Sequence, residues 1–452
     1  MAKAQPIDKS YLKRPDNHDV DHIPGDYGIP YFGNSLSTIF GLDTFLKDRL
    51  EKYGPVSRVK MLHQKGVFLQ GSENLQKVYL DKEKNFSAEM GFAESLGQFY
   101  NGGILMKDFA DHKFLRRMMQ TAFKNAAMKN YVGMMNPIID QHIQTWEKID
   151  DFQFFPHIKK TLLEVGSKVF IGVEDEDDMQ KANQAFLDIN DGLMGQIRKE
   201  WPGTKYNKGK KGERYLRDFF SAEIDARREG DGEDMLSFMC REKTDEGEFF
   251  SKDLIIPQAS FLLFAAHDTT TSLLNHMMYY SAVHPEWQDK MREECLALGK
   301  SYLDYEDLDN LPAMQQVLFE CLRLRPSVPF LARRTINECE LGGQRLPADT
   351  MIFMSPITAH RNPEFWSNPE TFDPLRFSDE RREDKSHTFA FTPFGGGAHK
   401  CIGMHFAQML AKNFMHQILL NYNYTLPEGF KPSFEWVPLP KPRKLPLQWE
   451  RR

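Results

Sequence analysis

The sequence predicts an α+β fold, predominantly helical, with a long central helix and small β-sheets at the flanks. Three observations carry this. From about residue 108 to about residue 300 the apolar residues recur mostly with helical spacing. Within that stretch "LIIPQASFLLFAAHDTTTSLLNHMMYYSAV" (254–283) is apolar on nearly every face, apart from its polar centre and Pro257, so a helix built from it is buried all round. From residue 330 onward Pro and Gly become frequent, and short β-like pieces such as "ECELGGQRLPADTMIFM" (338–354) appear.

Taken in order, residues 1–22 form a polar leader with no apolar run suited to a signal peptide or a membrane anchor. A Pro/Gly-punctuated loop, "IPGDYGIPYFGN", follows, and "TFLKDRLEKYGPV" reads as an amphipathic helix ended by Gly54 and Pro55. "SRVKMLHQKGVFLQ" has strand-and-turn character. Farther on, "VEDEDD" (173–178) reads as an acidic loop and "WPGTKYNKGKKGE" (201–213) as a basic connector between two helices, either solvated or a mobile lid. The central helix is too interrupted, by His267, Asp268 and several hydroxyl or amide residues, to span a bilayer comfortably. One last long helix follows Cys401. With no repeat, low-complexity tract or linker, residues 23–452 read as one large domain.

Composition narrows the function classes. Hydrophobic residues make up 41% and aromatic residues 12%, with 35 Phe and 22 Met, a bias that suits an apolar cavity and an ordinary core equally. A net charge of −6, from 58 Lys+Arg against 64 Asp+Glu, argues against nucleic-acid binding. Cys240, Cys295, Cys321, Cys339 and Cys401 form no C-x-x-C pair, and their odd count and scatter fit neither a disulfide framework nor a zinc site. The expectation is a cytoplasmic protein, although a longer, membrane-anchored parent would be compatible with the same stretch.

Three constellations carry chemistry. In "FTPFGGGAHKCIG" (391–403), glycines at 395, 396 and 397 permit unusual backbone geometry and the close approach of a flat ligand. Cys401 follows, just ahead of a helix whose Phe406, Leu410, Phe414 and Ile418 form an apolar stripe. The helix N-terminus there favours a thiolate, and a single thiolate suits an iron already held by a porphyrin better than a zinc ion. A Gly-rich turn around a buried cysteine is the competing reading. In "AAHDTTTS", Asp268 lies in a dry segment and needs a partner, water or a proton-transfer role. The Thr269 hydroxyl can bond back to the Ala265 carbonyl, bending the helix and opening a notch beside Ala265 and Ala266. In "FECLRLRPSVPFLARR", Glu320 and Arg323 stand at i, i+3, a spacing that taken singly is usually a surface pair of little consequence.

In this order the constellations resemble the cytochrome P-450 family of haem-thiolate monooxygenases. The family's cysteine loop is met by Phe394, Gly397, Cys401 and Gly403, and its helical Glu-x-x-Arg by Glu320 and Arg323, with Arg376 of "FDPLRF" similar to the third member of the structural triad. Its oxygen-activating motif is met by Ala265, Asp268 and Thr269, with Ala266 in place of the usual Gly. "IPG" and "KYGPV" fit as well, so the resemblance runs from about residue 23 to the end.

The resemblance implies haem b (Fe-protoporphyrin IX) with Cys401 as axial ligand and its propionates held by His112, Arg116, Arg333 and His399. It implies that Thr269 hydrogen-bonds the oxygen held on the iron while Asp268 relays protons. The substrate pocket is expected from Phe92, Phe99, Phe264, Ala265, Val328, Pro329 and Phe330, for a lipophilic steroid, terpenoid or fatty-acid-like molecule oxidised with dioxygen. Electrons are expected from a separate ferredoxin- or flavodoxin-type protein docking near Lys113, Arg117, Lys124 and Lys400. The rival readings are a peroxide-driven peroxygenase on the same scaffold and a non-catalytic haem-binding gas sensor.

Overall fold

In the computed structural model, residues 9–17, 19–173 and 175–452 are described. A single helix, Lys252–Val283, runs unbroken through the middle of the chain, and residues 270 to 279 of it are buried without a gap. Nearly three turns closed on every face leave no room for an amphipathic stripe, so the segment had to read as apolar all round. Packed around it are the helices Phe154–Gly166, Pro312–Leu324 and Met404–Asn421. The stripe Phe406, Leu410, Phe414 and Ile418 is fully inside the core. Among the described residues no helix is long and apolar enough to cross a membrane.

The principal sheet has five strands. β1 (Val56–Met61) and β2 (Gln64–Leu69) form the hairpin expected from "SRVKMLHQKGVFLQ". β3 (Phe86–Ser87) and β4 (Leu331–Thr335) come next, then the small hairpin β5 (Cys339–Leu341) and β6 (Gln344–Leu346), then β7 (Met351–Met354). The order is β1-β2-β7-β4-β3, with only the β2–β7 pair parallel. β4 matters for the site because strand alternation sends Arg333 and Arg334 to opposite faces.

Two expected loops are helical. Glu176–Asp178, from the acidic stretch, are the first turn of the helix Glu176–Leu193, and the Asp175 carboxylate caps it by accepting from the Asp178 N–H. Carboxylates are stabilised there by the free N–H groups of the helix end. Glu174 lies outside the described residues. The basic stretch is likewise helix from Lys205 (Lys205–Glu229), capped by Thr204. Gly212 is needed because a Cβ there would lie 2.4 Å from the Ala185 carbonyl oxygen of the neighbouring helix. The first helix begins at Ser35, well ahead of Thr44, the kink at Gly41 having blurred its period. It ends at Gly54 as expected. The described part of the leader lies against the body: Tyr11 is buried, and Arg14 Nη2 donates to the Ile336 carbonyl at 2.6 Å.

Glu320 and Arg323 are far from a surface pair. Both side chains are completely buried, and Arg323 donates to the two carboxylate oxygens at 2.6 and 2.8 Å. Arg376 adds a third contact at 3.4 Å. The other guanidinium N–H groups of Arg323 go to the backbone carbonyls of His360 and Pro369, and those of Arg376 to the Asn368 carbonyl and to a second carboxylate, Glu383, at 3.0 Å. Buried charges persist only when every donor is satisfied in this way. His360 extends the network, facing the Arg323 carbonyl with Nδ1 at 3.2 Å and accepting the Thr392 backbone N–H on Nε2 at 2.9 Å. That pairing requires a neutral ring, and burial pushes the imidazole down to about 3.

His276 on the central helix is pushed by burial to about 3 as well. Both histidines stay neutral in the fold while an unfolded chain protonates near 6.5, so stability is lost as pH falls below 6.5 toward about 3, by about 1.4 kcal/mol per unit for each. Replacing His276 with Phe is expected to remove one such contribution. Urea titrations of parent and variant at several pH values between 6.5 and 4 measure the difference in slope.

Candidate active site

The sequence-predicted groups converge on one cavity of about 720 Å³. One wall is the cysteine loop. It closes on itself through a hydrogen bond from the Cys401 N–H to the Phe394 carbonyl at 2.9 Å. Gly397 has φ +62°, and a Cβ there would lie 1.7 Å from the Tyr79 carbonyl oxygen. Glycine is therefore required by the pressing of this loop onto the helix Ser72–Leu80. Cys401 precedes Gly403, the N-cap of Met404–Asn421, and turns its free surface into the cavity. Burial pushes its thiol up, and the Gly403 N–H and the charges of Arg116 and Lys400 offset only part of that. The helix end therefore does not by itself offset the burial of the sulfur. Among the described residues no group of three or more His, Cys, Asp and Glu side chains could hold a bare metal ion.

The basic residues gather beside the sulfur. His112, from the helix Phe109–Gln120, and His399 place their rings 3.9 Å apart, and Arg116 Nη1 donates to the Lys400 carbonyl at 2.7 Å. Arg333 is 4% exposed, it donates to the Ala332 carbonyl at 2.8 Å, and among the described residues no carboxylate pairs with it. Arg334, on the opposite face, is instead bound by Asp16 and Asp349. Burial first, then the neighbouring arginine charges, push His112 down to about 4 and His399 well below its usual range. A buried guanidinium without an anion, beside two neutral imidazoles, is a site built for an acidic group.

The central helix forms the facing wall. Thr269 Oγ1 donates to the Ala265 carbonyl at 2.7 Å, the expected back-bond, although the segment remains helical throughout. Its proton is thereby committed, and its lone pairs remain as acceptors. Asp268 also lines the cavity, with the His267 ring nitrogen Nδ1 at 3.1 Å and Lys159 Nζ at 3.5 Å from the same carboxylate oxygen. Burial raises the carboxyl, but His267 and Lys159 together outweigh it and hold it below the usual carboxylate range. Ala265, Phe264, Phe92, Val328, Pro329 and Phe330 complete the apolar lining. Phe99 does not line it: the ring lies between two helices, 5.3 Å from Tyr206 and against Gly192 and Gly209. Its close glycine contacts make it a packing residue.

The sequence profile described as Cytochrome P450 matches residues 23–447. The chain belongs to the cytochrome P450 family. It is 34% identical over 441 residues to the cytochrome P450 136 of Mycobacterium tuberculosis, covering 96% of this chain and 89% of that one. It is 26% identical to the taxane 10-beta-hydroxylase of Taxus cuspidata, covering 89% of this chain and 84% of the relative. The solved structure of retinoic acid-bound cyanobacterial CYP120A1 superposes with a TM-score of 0.84 at 24% identity, over 95% and 99% of the two chains.

As a cytochrome P450 the protein is a monooxygenase that uses haem b, and the residues fit that group. The donor set offers one sulfur from the chain, which suits an iron whose other ligands come from a porphyrin. The unpaired Arg333 and its neighbours suit carboxylates at the porphyrin edge. Three contributors escaped the sequence. Lys159 comes from the helix Phe154–Gly166, far away in the chain and with no local pattern. His267 adjoined the acid but read only as an interruption of the apolar run. The segment 436–439, which lines the cavity, is the loop between the two-residue strands Phe434–Glu435 and Lys441–Pro442, too short to show a pattern.

Arg333→Leu is expected to weaken haem retention by about 1.5–3 kcal/mol, one to two orders of magnitude, the usual worth of a hydrogen bond to a charged group. Arg334→Leu changes retention little. Haem transfer to apomyoglobin, followed for both variants, distinguishes the two faces of β4.

Proposed function

We propose that this cytochrome P450 inserts one oxygen atom of dioxygen into a lipophilic substrate of steroid, terpenoid or fatty-acid type, with electrons from a separate ferredoxin- or flavodoxin-type protein. The observation that carries the reading is a single cavity joining the Cys401 sulfur to Thr269 and Asp268 across an apolar lining. Haem, when bound, supplies the redox chemistry of oxygen activation, and thiolate ligation favours O–O cleavage.

The chain's own residues account for the remainder. Cys401 would supply the sulfur ligand, and His112, Arg116, Arg333 and His399 would hold the propionates. Phe92, Phe264, Val328, Pro329 and Phe330 exclude water and bind by apolar burial, at roughly 25 cal/mol per Å². Thr269, its own proton given to Ala265, accepts a hydrogen bond at the notch, and Asp268 hands protons toward it. Ala266 adds a methyl group to that notch. A taxane substrate in one relative is in keeping with a bulky, apolar ligand. We read residues 23–452 as one domain carrying all of these parts.

The basic face around the cysteine loop is assigned to the electron donor. Lys113 and Lys400 are exposed, and the Arg116–Lys400 link sets the helix Phe109–Gln120 beside the loop. Arg117 is partly engaged by Asp245 at 2.8 Å, which leaves Lys113, Lys124 and Lys400 as the freer charges. Steering of this kind weakens with salt.

A library of steroids, terpenoids and fatty acids added to the ferric protein tests the substrate class. A shift of the Soret band from low to high spin is expected with members of the lipophilic set, and a response confined to small polar compounds would refute it. Reversing Lys113 and Lys400 to Glu is expected to slow reduction at low ionic strength and to abolish its salt dependence, as read by stopped flow. In Thr269→Ala, peroxide released per electron consumed is expected to rise at the expense of product.

A further inference from the structure

The acid of the central helix is held by an arrangement that the family motif does not specify. Neighbouring residues of a helix point about 100° apart and do not normally face each other. Even so, the His267 ring folds back so that Nδ1 lies 3.1 Å from Asp268 Oδ1. Its other nitrogen, Nε2, is 3.1 Å from the backbone carbonyl of Lys159 on the helix Phe154–Gly166. The Lys159 ammonium returns to Asp268 Oδ1 at 3.5 Å. Three side chains on two helices thus close a ring in which Lys159 is gripped at both ends, by its carbonyl and by its ammonium.

Two physical consequences follow. Nε2 makes the hydrogen bond to the Lys159 carbonyl, whereas Nδ1 and Oδ1 stand 3.1 Å apart outside hydrogen-bond geometry, so ring and carboxylate meet by close approach. Oδ1, which both Nδ1 and the Lys159 ammonium approach, is shut away from solvent. Asp268 nevertheless lines the cavity with its side chain 29% exposed, which leaves Oδ2 as the oxygen available to it. The charged or titratable groups acting on this carboxylate are His267 from its own helix and Lys159 from the helix beneath; Tyr100, the last residue of the short helix Gly97–Tyr100, feels it electrostatically. The edge of the His267 ring, packed against Phe186 at 90°, leaves it little freedom to turn away.

We propose that His267 is a positioning residue that fixes one oxygen of Asp268 against Lys159 and thereby aims the other into the cavity as the proton-handling atom. The proposal rests on the relay role given to Asp268 above. His267 touches neither substrate nor cofactor; it acts through its neighbour.

The test compares His267→Leu, which has no donor, with His267→Gln, which keeps a neutral one, in the haem-loaded protein. The Asp268 carboxyl is titrated by infrared difference spectroscopy, its band identified by loss in Asp268→Asn. Its proton affinity is expected to rise roughly tenfold in the Leu variant and less in the Gln variant, as for a carboxylate losing an adjacent polar group that favours its charged form. Product formed per electron, with peroxide as the alternative outcome, is expected to fall roughly fivefold in the Leu variant and to recover partly with Gln. In an Asp268→Asn background the Leu substitution should add nothing.

Unchanged carboxyl titration in both variants overturns the proposal, as does a full, additive loss in the Asp268→Asn background, which marks a packing role. If Leu does not fold, the Gln variant and its double substitution decide alone. Should Asp268→Asn itself leave the product-to-peroxide partition unchanged, the relay reading fails, and the infrared titration still decides whether His267 holds the carboxylate.

Discussion

The buried Glu320 carboxylate, shared by Arg323 and Arg376, is the interaction on which the position of the sulfur depends. Removing Arg323 would leave the carboxylate its longer contact to Arg376 where water cannot reach it, so the arginines and the chain around them are held in one arrangement. The hold is passed on through backbone. Arg323 binds the carbonyls of His360 and Pro369, and His360 takes the Thr392 N–H, two residues before Phe394 opens the cysteine loop. A helix pair that would be trivial on a surface thus fixes where Cys401 stands.

The cavity inherits opposite electrostatics from its two walls. Beside the sulfur, positive charge accumulates without an acid to meet it: Arg333 is buried with no carboxylate partner among the described residues, and burial, with the arginine charges adding to it, pushes two imidazoles down. Across the cavity the charge is internally balanced, with Asp268 answered by His267 and Lys159. The first wall carries positive charge that no acid among the described residues answers; the second holds its carboxylate beside a lysine and an imidazole of its own. Between them the lining is apolar, so both sets of charges act in a medium that screens them poorly.

How much was legible in the sequence varied with the distance over which each feature is encoded. The central helix announced itself because burial on every face demands apolar residues at every position. The cysteine loop was legible because its glycines, phenylalanine and cysteine lie within one short run. The acidic and basic stretches misled for a local reason: charge density reads as loop, whereas carboxylates at a helix start and glycines between close helices serve ordered structure. Phe99 shows the limit of transferring a pocket position when the ring is taken up by its neighbours.

By itself, the sequence determined the class of fold, the glycine-rich cysteine loop, the acid and hydroxyl on the buried helix and the Glu320–Arg323 spacing, since each is written in contiguous residues or a fixed helical spacing. Only tertiary structure decided that Glu320 and Arg323 are sealed from water, that Arg333 rather than Arg334 faces the cavity without an acid, and that Lys159 closes on Asp268. Those outcomes turn on which surfaces meet across more than a hundred residues of chain, and burial, which sets the strength of every charge involved, is a property of the packed whole.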